Sequence, residues 1–99
     1  MMTDSKIGEI ATAVLKRRFA EAGFLNAEAA TEEDFDGGPI VRVMAHFARP
    51  LHDLRTFVSS AGAIRDELSK SGEERFVILT HDYPGSEREV DEDEDELER

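Results

Sequence analysis

The chain contains no cysteine. That absence excludes disulfide staples, a thiolate zinc site and a thiol nucleophile, and it points to a reducing compartment. Long apolar runs are missing as well, because no segment approaches the ~18 consecutive apolar residues of a membrane-spanning helix. The opening Met1-Met2-Thr3-Asp4-Ser5 lacks the basic stretch and apolar run of an export signal. A cytoplasmic protein without membrane attachment is therefore expected. Positive charge is scarce: 12 Lys and Arg stand against 23 Asp and Glu, a formal charge of −11.

Most of that charge sits in one place. Glu87 to Arg99 carries nine carboxylates and two arginines, which is −7, leaving −4 on residues 1–86. Such charge density, with Val90 and Leu97 as the only aliphatic side chains, predicts a disordered acidic tail at 87–99 behind one α+β domain at 1–86. A domain of that size buries only ~60–65% of the surface its unfolded chain exposes, so a single helical layer on one small sheet is the economical fold.

Periodicity supplies the elements. Ile7, Ile10, Ala11, Val14, Leu15, Phe19 and Ala22 follow a helical face, with Asp4 or Ser5 as cap and Gly23 as terminator. Leu25, Ala27, Ala29 and Thr31 alternate as an edge strand. Asp36-Gly37-Gly38-Pro39 is a turn, and Ile40 to Ala48 is a second strand with Val41, Val43, Ala45 and Phe47 on one face and Ile40, Arg42, Met44 and His46 on the other. A helix from Pro50 buries Leu51, Leu54, Phe57, Val58, Ala61, Ile64 and Leu68 and ends at Gly72. Phe76 to Leu79 reads as a strand covered on both faces.

The predicted fold is thus a two-layer α-β-β-α-β domain, two helices packed on one face of a small three-stranded mixed sheet. A right-handed crossover makes the last two strands parallel and leaves the other sheet face uncovered. Ile40, Met44, Phe76 and Ile78 are the predicted partner-binding residues there, for a homodimer, a basic protein partner or both, unless the tail or the N-terminus folds over them.

Chemistry-bearing residues are few. His46, His52 and His81, with Asp53 and Asp82, are the candidates for metal binding or proton transfer near the carboxyl ends of the strands, although His46-x5-His52 is not a zinc spacing. Asp91, Asp93 and Asp95 match the first positions of a calcium loop, but Glu96 occupies the position that needs glycine. No serine lies in a nucleophile elbow, and Gly37-Gly38 is not followed by the lysine of a phosphate loop. No enzyme and no cofactor are implied. Lys16, Arg17 and Arg18 are the one basic run and the candidate nucleic-acid surface, disfavoured by the overall negative charge.

The stretch Ser60-Ala61-Gly62-Ala63-Ile64-Arg65-Asp66-Glu67-Leu68 resembles the Ala-x-Gly helix junction of the ribosome-binding factor A family, small KH-like bacterial proteins that bind the small ribosomal subunit. With Asp34-Phe35 and the strand Ile40 to Ala48, the similarity spans residues 33–68. Alanine and glycine are adjacent here, unless Ser60 and Gly62 take the equivalent positions. The resemblance implies an RNA- or ribosome-associated factor using Lys16 to Arg18 and the Ala61-Gly62 helix.

Overall fold

The computed structural model describes residues 2–84, in the order α1 (Asp4–Arg18), β1 (Phe24–Glu33), β2 (Pro39–Phe47), α2 (Leu54–Lys70) and β3 (Phe76–Asp82). The expected disordered tail at 87–99, the boundary at residue 86 and the aspartates of the calcium-like stretch lie outside the described residues. The sheet order is β1-β2-β3, with β1 antiparallel and β3 parallel to the central β2. Both helices cover one face, α1 over β1 and α2 over β3, and they touch each other. The fold is therefore the α+β arrangement that the periodicity predicted.

Between the two layers lies one apolar core. Ile7, Ala11 and Leu15 of α1 meet Val41, Val43, Ala45 and Phe47 of β2 and Phe57, Ile64 and Leu68 of α2, all of them buried. Phe19, Phe47 and Phe57 form an aromatic cluster, with the Phe19 and Phe47 rings edge to face at 5.6 Å. Every inward residue of β2 was placed correctly by its period-2 alternation.

Several local expectations are corrected. Thr3, not Asp4 or Ser5, caps α1 by accepting from the Lys6 N–H, because Asp4 is turned to Thr31 on β1. The helix stops at Arg18, and Gly23 (φ 82°) closes the turn that follows rather than the helix itself. Helix α2 starts at Leu54 rather than near Pro50, because the Asp53 carboxylate accepts from the Thr56 N–H and fixes the first turn there. Leu54 and Val58 consequently point outward, 53% and 70% exposed, while Ser60 is buried and donates its hydroxyl to the Thr56 carbonyl. In β1 a register shift between Phe24 and Asn26 turns Leu25 out to solvent. β3 runs on through Thr80, His81 and Asp82.

The two outer edges of the sheet are treated differently. Along β1, the Thr12 hydroxyl accepts from the Ala27 N–H (3.1 Å) and donates to the Ala27 carbonyl (3.2 Å), and Asp4 accepts from the Thr31 N–H (3.3 Å). At Gly8 the helix comes close to the strand, where a Cβ would make ordinary contact 3.5 Å from the Ala27 oxygen. Helix α1 thus occupies the β1 edge with hydrogen bonds of its own. Among the described residues nothing outside the sheet bonds to the backbone of β3.

One end of the sheet is tied by a buried ion pair. The Arg75 guanidinium donates through Nε and Nη2 to the two Glu73 oxygens at 2.8 Å each, and also to the Thr31 hydroxyl and the Met2 carbonyl. Hydrogen bonding to Arg75 holds the Glu73 carboxyl down at about 2. Three chain segments therefore converge on one guanidinium, joined to the start of β3.

Candidate functional site

The sheet face that no described helix covers is built by alternation. On β2 it presents Ile40, Arg42, Met44 and His46, and the parallel register sets Phe76, Ile78, Thr80 and Asp82 of β3 beside them in that order. Across the antiparallel pair lie Glu32, Ala30, Glu28 and Asn26 of β1. All four predicted docking residues accordingly share this face, but they are not equally available. Phe76 is 57% exposed and Met44 and Ile78 are half-buried, whereas Ile40 is only 6% exposed between its register neighbours Glu32 and Phe76. The apolar strip is thus Met44, Phe76 and Ile78.

Carboxylates frame that strip. Glu32 accepts from the Arg42 Nε through both oxygens (3.0 and 3.1 Å). At the far end, His46 is held between two strands: Nδ1 faces Asp82 Oδ1 and Nε2 faces Glu28 Oε2, each at 2.7 Å. Its pKa is raised, chiefly by the hydrogen bond to Glu28 and then by that to Asp82. A protonated ring satisfies both carboxylates, whereas a neutral one has a single N–H to give. His46 is therefore a titratable clasp joining β1, β2 and β3.

The three histidines are not brought together. His81 lies on the helix-covered side, its ring 4.7 Å from that of Phe57 and 6.2 Å from that of Phe47, because successive strand residues face opposite ways. His52 stands exposed in the loop before α2. Among the described residues, no group of three or more His, Asp or Glu side chains is placed to hold a metal ion. The shared sheet end predicted for His46 and His81 is correct, but the alternating pleat separates their side chains.

Lys16, Arg17 and Arg18 are exposed in the last turn of α1, where Arg18 donates to the Ser59 hydroxyl of α2 at 3.0 Å. Arg49 approaches the same end and donates to the Glu21 carbonyl at 2.7 Å. None of these four cations makes an ion pair with another described residue. The Ala61-Gly62 stretch lies inside the unbroken helix α2, with open space around the Gly62 α-carbon.

Sequence reasoning grouped Asp82 with His46 but had no means of finding its second carboxylate partner, Glu28. Glu28 reaches it from a strand with a faint β signal, and only the register of the hairpin could pair them. The outward apolar residues of α2 were missed because Leu54 and Val58 continue the same helical pattern as the core positions. No helix among the described residues is long and apolar enough to cross a membrane. Comparison of the chain with protein-family models, with curated proteins and with solved structures gave no match.

Proposed function

We propose that this chain is a small non-enzymatic binding or accessory protein of the cytoplasm that acts through protein–protein contact with a basic partner. The observation that carries this reading is the strip Met44, Phe76 and Ile78 on an uncovered sheet face, framed by Glu28, Glu32 and Asp82. Apolar side chains of that kind supply most of the affinity of a docking surface, while surrounding charge sets the approach rate and the choice of partner. With a formal charge of −11, a partner of opposite sign is favoured at long range. The test is affinity capture from extracts of the source cells with the full chain and with its Phe76→Asp/Ile78→Asp variant. A basic protein retained by the first, released by salt and lost with the second is expected. Identical captures by both would remove the reading.

A second reading has a specific observation behind it. Lys16, Arg17, Arg18 and Arg49 gather at one end without ion-pair partners among the described residues, which suits the phosphate contacts of a KH-like, ribosome-associated factor. Structured RNA titrated at low salt against a chain lacking Glu87 to Arg99 tests it. Binding lost on charge reversal at Lys16 to Arg18 is expected, and no binding at all ends this alternative.

A further inference from the structure

We propose that the outer edge of β3 and the overhanging flank of α2 form one self-complementary surface, occupied by a second copy of this chain in a two-fold dimer with a continuous six-stranded sheet. This surface adjoins the partner-docking strip at Phe76 and leaves Met44 outside it. Its evidence is the difference between the two sheet edges, together with a row of side chains that the core leaves unused.

The sides of α2 can be told apart. Ser59 receives Arg18 and Ala63 joins the core shared with α1, so those residues mark the flank facing α1. Arg65 marks the opposite flank, its guanidinium carbon 6.0 Å from the Phe76 ring centre, reaching around the edge of β3. Residues 54, 58, 61 and 65 follow the i, i+4, i+7, i+11 spacing that keeps side chains on one flank. Leu54 and Val58 therefore overhang the open edge of β3, more than half exposed, with Ala61 and the unobstructed Gly62 between them and Arg65. Below this row lies a seven-residue strand, Phe-Val-Ile-Leu-Thr-His-Asp, whose outer backbone edge is engaged by no described residue outside the sheet.

A second copy covers all of this at once. An antiparallel pair formed by a strand with itself has a two-fold axis, here near Leu79, so each β3 satisfies the other's edge. The same operation lays the two α2 flanks together with the small residues Ala61 and Gly62 near the crossing. It also sets Asp82 opposite Phe76 of the second copy, over which that copy's Arg65 lies. Asp82 spends one oxygen on His46 and Arg65 has no ion pair with another described residue, so two complementary contacts form. A lone extended peptide would leave Leu54 and Val58 uncovered. The seventeen residues of α2 span ~25 Å, and a contact two layers deep over that length covers on the order of 500 Å² per chain, or about 1,000 Å² in all, near the lower bound for specific association. Because α1 occupies the other edge, pairing stops at two chains and no fibre grows.

Sedimentation velocity of the full chain between about 1 and 100 μM should show a reversible monomer–dimer equilibrium. Val58→Glu, at a side chain 70% exposed in the monomer, should weaken it by at least ~10-fold. Met44→Glu on the central strand should leave it unchanged. In this cysteine-free chain, Gly62→Cys should give a disulfide-linked dimer on mild oxidation, and Ala13→Cys on the outer side of α1 should not. A monomer throughout that range, dimers indifferent to Val58→Glu, or dimers lost in Met44→Glu would overturn the proposal. The outcome for the basic partner is read separately, through Met44→Glu, because Phe76 and Ile78 lie on the strand that pairs.

Discussion

The two edges of the sheet have the same backbone and opposite fates. At β1, Thr12 and Asp4 reach down from α1 and take up the strand's N–H and C=O groups, so the helix covers the edge as well as the face. At β3, α2 lies over the face with Leu54 and Val58 exposed, and no described residue outside the sheet bonds to the strand's backbone. An exposed apolar edge strand is ordinarily a liability, and proteins that keep one generally use it. The contrast is the ground for proposing association on one side of the molecule.

Three perturbations, in decreasing size, break or sharpen this contrast. The largest acts on the tie that holds both edges at one end. Glu73→Gln leaves the buried Arg75 without its counter-charge and should cost about 3 kcal/mol in urea unfolding. Acid acts on the same pair: since the Glu73 carboxyl is depressed to about 2 from an ordinary value near 4.5, its contribution is full above pH 4.5 and is lost as pH falls from there toward 2. Thermal unfolding of Glu73→Gln should accordingly show a shallower decline over that window than the unmodified chain.

Of intermediate size is Thr12→Val, which keeps the side-chain shape but strands the two backbone groups of Ala27, for about 1–2 kcal/mol. It also frees part of the β1 edge, so light scattering should report species larger than a dimer.

The smallest effect belongs to His46, whose carboxylates are substantially exposed. A raised folded pKa means that its contribution is complete below about 6.5 and disappears as pH rises through the folded value. The loss should stay below ~1 kcal/mol because solvent screens the pair. His46→Gln should flatten stability across that range, as followed by NMR titration of the ring and by thermal unfolding.

Much of the fold was legible because β2 alternates strictly and α1 repeats cleanly, while the two glycines and proline at 37–39 punctuate the hairpin. The start of α2 was misread because Pro50 is as good a first helical residue as any, and only the Asp53 cap excludes Pro50 to His52 from the helix. β3 was cut short because Thr80, His81 and Asp82 look polar, although His81 packs edge-on against Phe57 and Asp82 holds His46. The residues of the strip were largely visible, since parallel pairing puts Phe76 and Ile78 beside Ile40 and Arg42. Ile40 proved buried, and the β3 edge was invisible, because edge protection depends on how a helix crosses a strand and not on any local pattern.

Hydrogen exchange of the full chain as a function of its concentration tests the central claim most directly. The β3 amides from Phe76 to Asp82 should gain protection as concentration rises, with the midpoint found by sedimentation, while those of Ala27 and Thr31 on β1 stay constant. Protection of β3 that is independent of concentration, or that rises equally at β1, would contradict the account.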